Sequence, residues 1–156
     1  MRTNMNSPIT QEAKIVNVKI GENVRIVEPS NLYGCKLHDN VFIGPFVEIQ
    51  ENVEIGERTK IQSHSFICSL VTIGKDVFVG HGVMFINDKF LQGKPAMGSR
   101  DLWEKTEISD HVYIGSNSTI LPVKICSNVV IGAGSVVTKD IKEPGTYLGN
   151  PARKFK

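Results

Sequence analysis

Cysteine is scarce in this chain: three residues in 156, and Cys35, Cys68 and Cys126 stand far apart with no CxxC pair. An odd, scattered set argues against a disulfide framework or a thiolate zinc site and fits reduced thiols in a cytoplasmic protein. Cys68 and Cys126 each follow a large apolar residue, in a slot where glycine is common, which points to packing rather than chemistry. Aromatics make up only 7%, with one tryptophan, and there is no run of basic residues. A formal net charge of +2 leaves no electrostatic footprint for nucleic acid. No apolar stretch approaches the roughly 20 residues of a membrane span. The polar start, Met1 to Gln11, has no apolar core of the kind a signal peptide needs. One cytoplasmic domain over 1–156, with no membrane insertion, is the expectation at this length.

Neither a helical period of 3.6 nor a strand period of 2 dominates the sequence. In their place an aliphatic or aromatic side chain returns every sixth position: Leu37, Ile43, Ile49, Ile55, Ile61, Ile67, Ile73, Val79, Phe85. The beat resumes as Ile108, Ile114, Ile120, and again as Ile125, Ile131, Val137. A second beat, small or β-branched, lies four residues after the first: Val41, Val47, Val53, Thr59, Ser65, Val71, Val77, Val83. Hexapeptide periodicity is the mark of a parallel β-helix. Three repeats close a triangular coil of roughly 18 residues, and each coil is stable only when its neighbours cover it. The branched residues suit a pleated, buried surface. Stripes such as Ile43, Ile61, Val79 and Ile49, Ile67, Phe85 then form the core. Glycine recurs directly after the large residue (Gly21, Gly44, Gly56, Gly74, Gly80, Gly115, Gly132), as expected of corners that need conformations side chains penalise.

The beat breaks in few places. Between Phe85 and Ile108 there are about 17 residues too many, which predicts a projecting loop over about 88–105. A loop of this length is usually functional or disordered. With Phe90, Leu91 and Trp103 to pack, an ordered arm reaching a neighbouring subunit is expected. Leu32 to Leu37 and Ile120 to Ile125 are each one residue short. The less regular Ile20, Ile26 and Leu32 fit a capping coil. After Val137 the chain leaves the beat as a tail, about 138–156.

The repeats, the loop and the terminal GNPAR together resemble the hexapeptide acyltransferases. The segments IGPFVEIQENVEIGERTKIQSHSFIC and VFVGHGVMFINDKF are similar to bacterial N-acetyltransferases of nucleotide-linked 3-amino sugars. The resemblance implies an all-β, left-handed parallel β-helix, although parallel crossovers are ordinarily right-handed. It implies acetyl-CoA as co-substrate, no metal, and a homotrimer with active sites between adjacent prisms. The implied acceptor is UDP-2-acetamido-3-amino-2,3-dideoxyglucuronate, acetylated on its 3-amino group for surface polysaccharide or O-antigen synthesis. A dTDP-3-amino-6-deoxyhexose, or another small O- or N-acceptor, is the alternative.

Acyl transfer to an amine needs a neutral nitrogen, a thioester within attack distance, and stabilisation of the developing oxyanion. His81, in GHG just before the loop, is the candidate general base. Asn87 holds the same place in the next repeat, and the resemblance gives it the role of orienting the amine while the departing sulfur takes the proton. A purely structural His81, stacked against a neighbouring subunit, is the competing reading. His38 and His111 occupy irregular or surface slots. Substrate contacts are expected from Gln62, Ser63 and His64, and also from Asn31, Tyr33, Glu48 and Asp88. The cofactor is expected along Gly132, Ala133, Gly134 and Ser135, with Lys139, Lys142, Arg153 and Lys154 near its phosphates.

Two other classes share the architecture. The γ-type carbonic anhydrases need three histidines including an HxxxxH pair, and this sequence has no such pair. A non-catalytic prism, structural or ice-binding, would need neither GHG, nor a tryptophan-bearing loop, nor GNPAR, and the flat threonine array of an ice binder is absent.

Overall fold

The computed structural model describes residues 12–155. The polar N-terminal stretch read above as no signal peptide lies outside these residues. Among the described residues, short strands of two to four residues stack into three sheets of seven, six and eight strands, which form the faces of a triangular prism. This β-solenoid is consistent with a left-handed β-helix of hexapeptide repeats. Among the described residues every strand pair is parallel except the last, where Gly145–Leu148 and Arg153–Lys154 form an antiparallel hairpin.

The six-residue beat is the core. Leu37, Ile55, Ile73, Ile108 and Ile125 form one ladder, and Ile43, Ile61, Val79, Ile114 and Ile131 form another. The third runs Leu32, Ile49, Ile67, Phe85, Ile120, Val137, and every member of the three ladders is at most 3% exposed. The second beat is buried as well, and where it is polar its hydroxyl is satisfied. Thr59 Oγ1 donates to the Gly74 carbonyl at 2.8 Å, and Ser65 Oγ donates to that of Gly80 at 2.9 Å. A buried hydroxyl is tolerated on those terms.

Register records each fault in the beat. Coils are 18 residues apart in the middle of the stack (Lys36 over Glu54) and 17 apart where the repeat is one short (Glu22 to Asp39). Across the loop the offset is 35 (Lys75 to Asp110), so the insertion leaves the stacking on either side intact.

The corners correct one expectation. The glycines after the large residues do not adopt positive φ. A Cβ on Gly56 would lie 2.5 Å from the Gly74 carbonyl, and one on Gly44 2.8 Å from Ser63 N. Those glycines are there because successive coils approach too closely for a side chain. Positive φ falls two residues later and is carried mainly by other residues: Asn40 (60°), Phe46 (58°), Asn52 (60°), Arg58 (58°), His64 (62°), Leu70 (72°), Asp76 (54°). Asparagine tolerates this region best, and the bulkier residues hold it only because the coils above and below fix the corner.

The loop is pinned to its own chain. Asp88 accepts hydrogen bonds from the Phe90 and Ala96 amides at 2.9 and 2.7 Å. Lys89 and Glu104 pair across its root at 2.8 Å, and Arg100, in the 3-10 turn Arg100–Leu102, pairs with Glu51 on the coil. Ala96 is buried, while Phe90, Leu91 and Met97 point outward at 56, 73 and 87% exposure. An arm with a fixed base and an apolar tip is the result.

Candidate active site

The outward residues differ from face to face. The six-stranded face is charged, with Lys36 on Glu54 at 2.9 Å and Lys124 on Glu107 at 3.0 Å. His38 belongs to this face, its Nε2 2.6 Å from Glu54 Oε1, and the hydrogen bonds from Lys36 and His38 hold the Glu54 carboxyl below its usual range. The eight-stranded face carries Arg25, Phe42, Lys60, Phe78, Tyr113 and Val130 in register. The seven-stranded face carries Asn31, Glu48, Phe66, Met84 and Thr119.

The expected site residues flank the seven-stranded face. At one corner stand Gln62, Ser63, His64 and His81. The Ser63 hydroxyl lies 2.9 Å from His81 Nδ1, and the His81 amide donates to Ser116 Oγ at 3.2 Å. His81 is exposed. His64 does not face it directly: its ring stacks on Phe46, with centroids 4.8 Å apart. Gln62 turns toward a groove of about 510 Å³ on the eight-stranded face, together with Arg25, Phe42 and Lys60.

Asn87 stands at the other corner, beyond the strand Met84–Phe85. Its Nδ2 donates to the Ser69 carbonyl at 3.1 Å, and its own carbonyl accepts from the Glu104 amide at 2.9 Å. Asn31, Tyr33 and Glu48 line one groove of about 650 Å³ lower on the same side, with the Tyr33 hydroxyl 3.4 Å from Glu48 Oε1. Burial, reinforced by the Glu48 carboxylate, pushes the Tyr33 phenol above its usual range. Asp88 spends both carboxylate oxygens on the loop backbone, so it shapes the loop. Sequence reasoning missed Gln50, Ser69 and Ser116. The stacking rule would have placed Ser69 beneath Asn87, 18 residues away, but neither Gln50 nor Ser69 carries a motif.

The cofactor candidates fall at the C-terminal end. Ala133 and Gly134 are exposed, and two backbone donors here are already committed: Gly132 N–H donates to Tyr147 O at 2.8 Å, and Gly134 N–H to Ser116 O at 2.9 Å. Ser135 is enclosed, its hydroxyl accepting from the Gly149 amide at 3.1 Å. Lys139, Arg153 and Lys154 line a cleft of about 290 Å³ with Tyr147 and Ile141. Lys154 pairs with Glu143 at 2.8 Å, which raises its pKa, and Lys142 lies outside the cleft's lining. Burial pushes the Cys35 and Cys68 thiols up to about 11 and about 12, so neither supplies a thiolate near neutrality. All three cysteines are free. Among the described residues no group of three His, Cys, Asp or Glu is placed to hold a metal ion, and no helix is long and apolar enough to cross a membrane.

Repeat and fold together define a class. Residues 34–69 match the bacterial transferase hexapeptide family (six repeats), and residues 106–139 the hexapeptide repeat of succinyl-transferase. Both stretches thus carry the repeat of the hexapeptide transferases. It is 32% identical to the bifunctional protein GlmU of Thermotoga maritima over 99% of its own length, and spans 36% of that relative. Among solved structures it is similar to a mutant of AntD, an N-acyltransferase from Bacillus cereus in complex with dTDP and coenzyme A. That likeness has a TM-score of 0.79 at 24% identity, over 88% of this chain and 82% of the other. It is also similar to a mutant perosamine N-acetyltransferase from Caulobacter crescentus in complex with CoA and GDP-perosamine. There the TM-score is 0.72 at 17% identity, over 85% of this chain and 56% of the other.

Proposed function

We propose that this chain is an acetyl-CoA-dependent N-acetyltransferase acting on the 3-amino group of a nucleotide-linked amino sugar. UDP-2-acetamido-3-amino-2,3-dideoxyglucuronate is the expected acceptor, for surface polysaccharide synthesis in the cytoplasm. The observation that carries the proposal is the orientation of Asn87. Its Nδ2 is spent on the Ser69 carbonyl, a group that can only accept, so Oδ1 is the atom offered outward. An acceptor oxygen held in place is what a neutral amine needs to aim its lone pair.

The amine nitrogen attacks the thioester carbonyl carbon, the C–S bond breaks, and an amide and a thiolate result. The proton lost from nitrogen goes to the departing sulfur, which needs little acid help. His81 and Asn87 sit at opposite ends of one face, so the proposal places each complete site between two copies of a homotrimer. There the His81 corner of one subunit meets the Asn87 corner of the next. The basic C-terminal cleft lined by Lys139, Arg153 and Lys154 is assigned to the phosphates of CoA. The loop tip, with Phe90, Leu91 and Met97 exposed, is assigned to a neighbouring subunit.

The test is thiol release from acetyl-CoA against a panel of UDP-3-amino, dTDP-3-amino, free-sugar and serine acceptors. Turnover confined to the UDP-linked amino sugar is expected. Preference for the dTDP sugar would move the acceptor branch, and no turnover with any nucleotide sugar would overturn the proposal.

A further inference from the structure

We infer that Gln50 is a positioning residue that fixes the Asn87 amide through Ser69. The inference rests on Asn87 being the group that receives the acceptor amine. Three residues from three successive coils form a chain of hydrogen bonds in one direction. Asn87 Nδ2 donates to Ser69 O at 3.1 Å, and Ser69 N–H donates to Gln50 Oε1 at 3.1 Å. The Ser69 hydroxyl donates to the same oxygen at 3.3 Å, and Gln50 Nε2 turns toward Glu48 Oε1 at 3.4 Å.

Neither side-chain amide can be flipped without loss. The Ser69 N–H can only donate, so Gln50 must present its oxygen; the Ser69 carbonyl can only accept, so Asn87 must present its nitrogen. Ser69 is 3% exposed, so water is not at hand to replace Gln50. A buried N–H left without its acceptor would pull the peptide elsewhere. The Ser69 carbonyl, and with it the Asn87 amide, would follow. Each amide also polarises the next, since donation from Nδ2 enriches the Oδ1 that faces the substrate. Glu48 closes the chain with a carboxylate. Gln50 itself lies outside contact with the reacting atoms, which makes it a positioning residue.

The experiment has a structural arm and a kinetic arm. Protein labelled with ¹⁵N at asparagine shows the Asn87 side-chain amide, identified by its loss in Asn87→Ala. Gln50→Met keeps the length and removes the acceptor; Gln50→Glu combined with Glu48→Gln keeps an acceptor oxygen without setting two carboxylates against each other. Gln50→Met is expected to shift the Asn87 amide and speed its hydrogen exchange and to leave Asn117, at the other corner, unmoved. The combined Gln50→Glu and Glu48→Gln variant is expected to restore the wild-type amide. Should Gln50→Met perturb every asparagine, Gln50→Ala replaces it in the same comparison. An Asn87 amide that stays put in the variant that folds overturns the inference.

In the kinetic arm, with acetyl-CoA and the UDP-linked 3-amino sugar, Gln50→Met is expected to lower kcat roughly ten- to hundredfold with KM for acetyl-CoA unchanged. In an Asn87→Ala background it should add nothing further. An equal loss in both backgrounds also overturns the inference. If Asn87→Ala itself keeps full turnover, the reading of Asn87 fails instead, while the amide shift still decides what Gln50 does.

Discussion

An asparagine and a histidine can answer the same chemical need differently, and the two corners of this prism present one of each. Asn87 is held at both its side chain and its carbonyl, by Ser69 and by Glu104. His81 is held at one ring nitrogen by Ser63 and is otherwise open to solvent. A fixed acceptor serves alignment, whereas an open imidazole serves proton exchange. Asn87→Ala is therefore expected to lower kcat by roughly a hundredfold or more while the fold, followed by circular dichroism, stays intact. Near-normal turnover in that variant would remove its orienting role. His81→Ala is expected to cost at most about tenfold and to keep the pH–rate profile, because the departing sulfur takes the amine proton and no side-chain base is required. A protonated base cannot accept, so disappearance of the low-pH limb in His81→Ala would assign the proton to His81.

Between the residues lie the corners, where the positions of glycine carry testable weight. A methyl on Gly56 would run into the Gly74 backbone at 2.5 Å, with no side chain there to move aside. Gly56→Ala is expected to lower stability by about 1–3 kcal/mol, read as a fall in unfolding midpoint. Gly93 in the loop has positive φ, but a Cβ on it would meet nothing within 4 Å. Gly93→Ala is expected to cost less than Gly56→Ala, and the reverse order would undo the close-packing account of the corners. The same elements show how much could be read from sequence. The beat located the coils, the short repeats and the insertion, because each inward residue answers to burial alone. It misjudged the glycines, because sequence shows a missing side chain without showing whether conformation or crowding required it. Asn87 and His81 stood out by their place beside the break, whereas Gln50 and Ser69 did not. Their role depends on which atom of each amide faces which coil, a property of stacking that no spacing rule conveys.

At the scale of the whole molecule, the question is whether one chain can assemble a site at all. His81 and Asn87 lie at opposite ends of the seven-stranded face, with Met84 outward between them and 40% exposed. On the proposed reading, a substrate amine touching Asn87 of one chain meets the His81 of a neighbouring copy. A closed ring of three copies would bring unlike corners together at each junction, a heterologous contact that closes by threefold rotation. Mixed assemblies test this directly. Asn87→Ala lacks one corner, and His81→Trp fills the other with a bulky ring at an exposed position. Each alone is expected to be inactive. When the two are unfolded together, mixed in equal amounts and refolded, random assembly makes about a quarter of junctions from two intact corners. Recovery of about that share of wild-type acetyl transfer is expected, with native mass measurement confirming trimers of both compositions. Mixed trimers as inactive as their parents would mean that both corners serve the same chain, and the inter-subunit site would have to be given up.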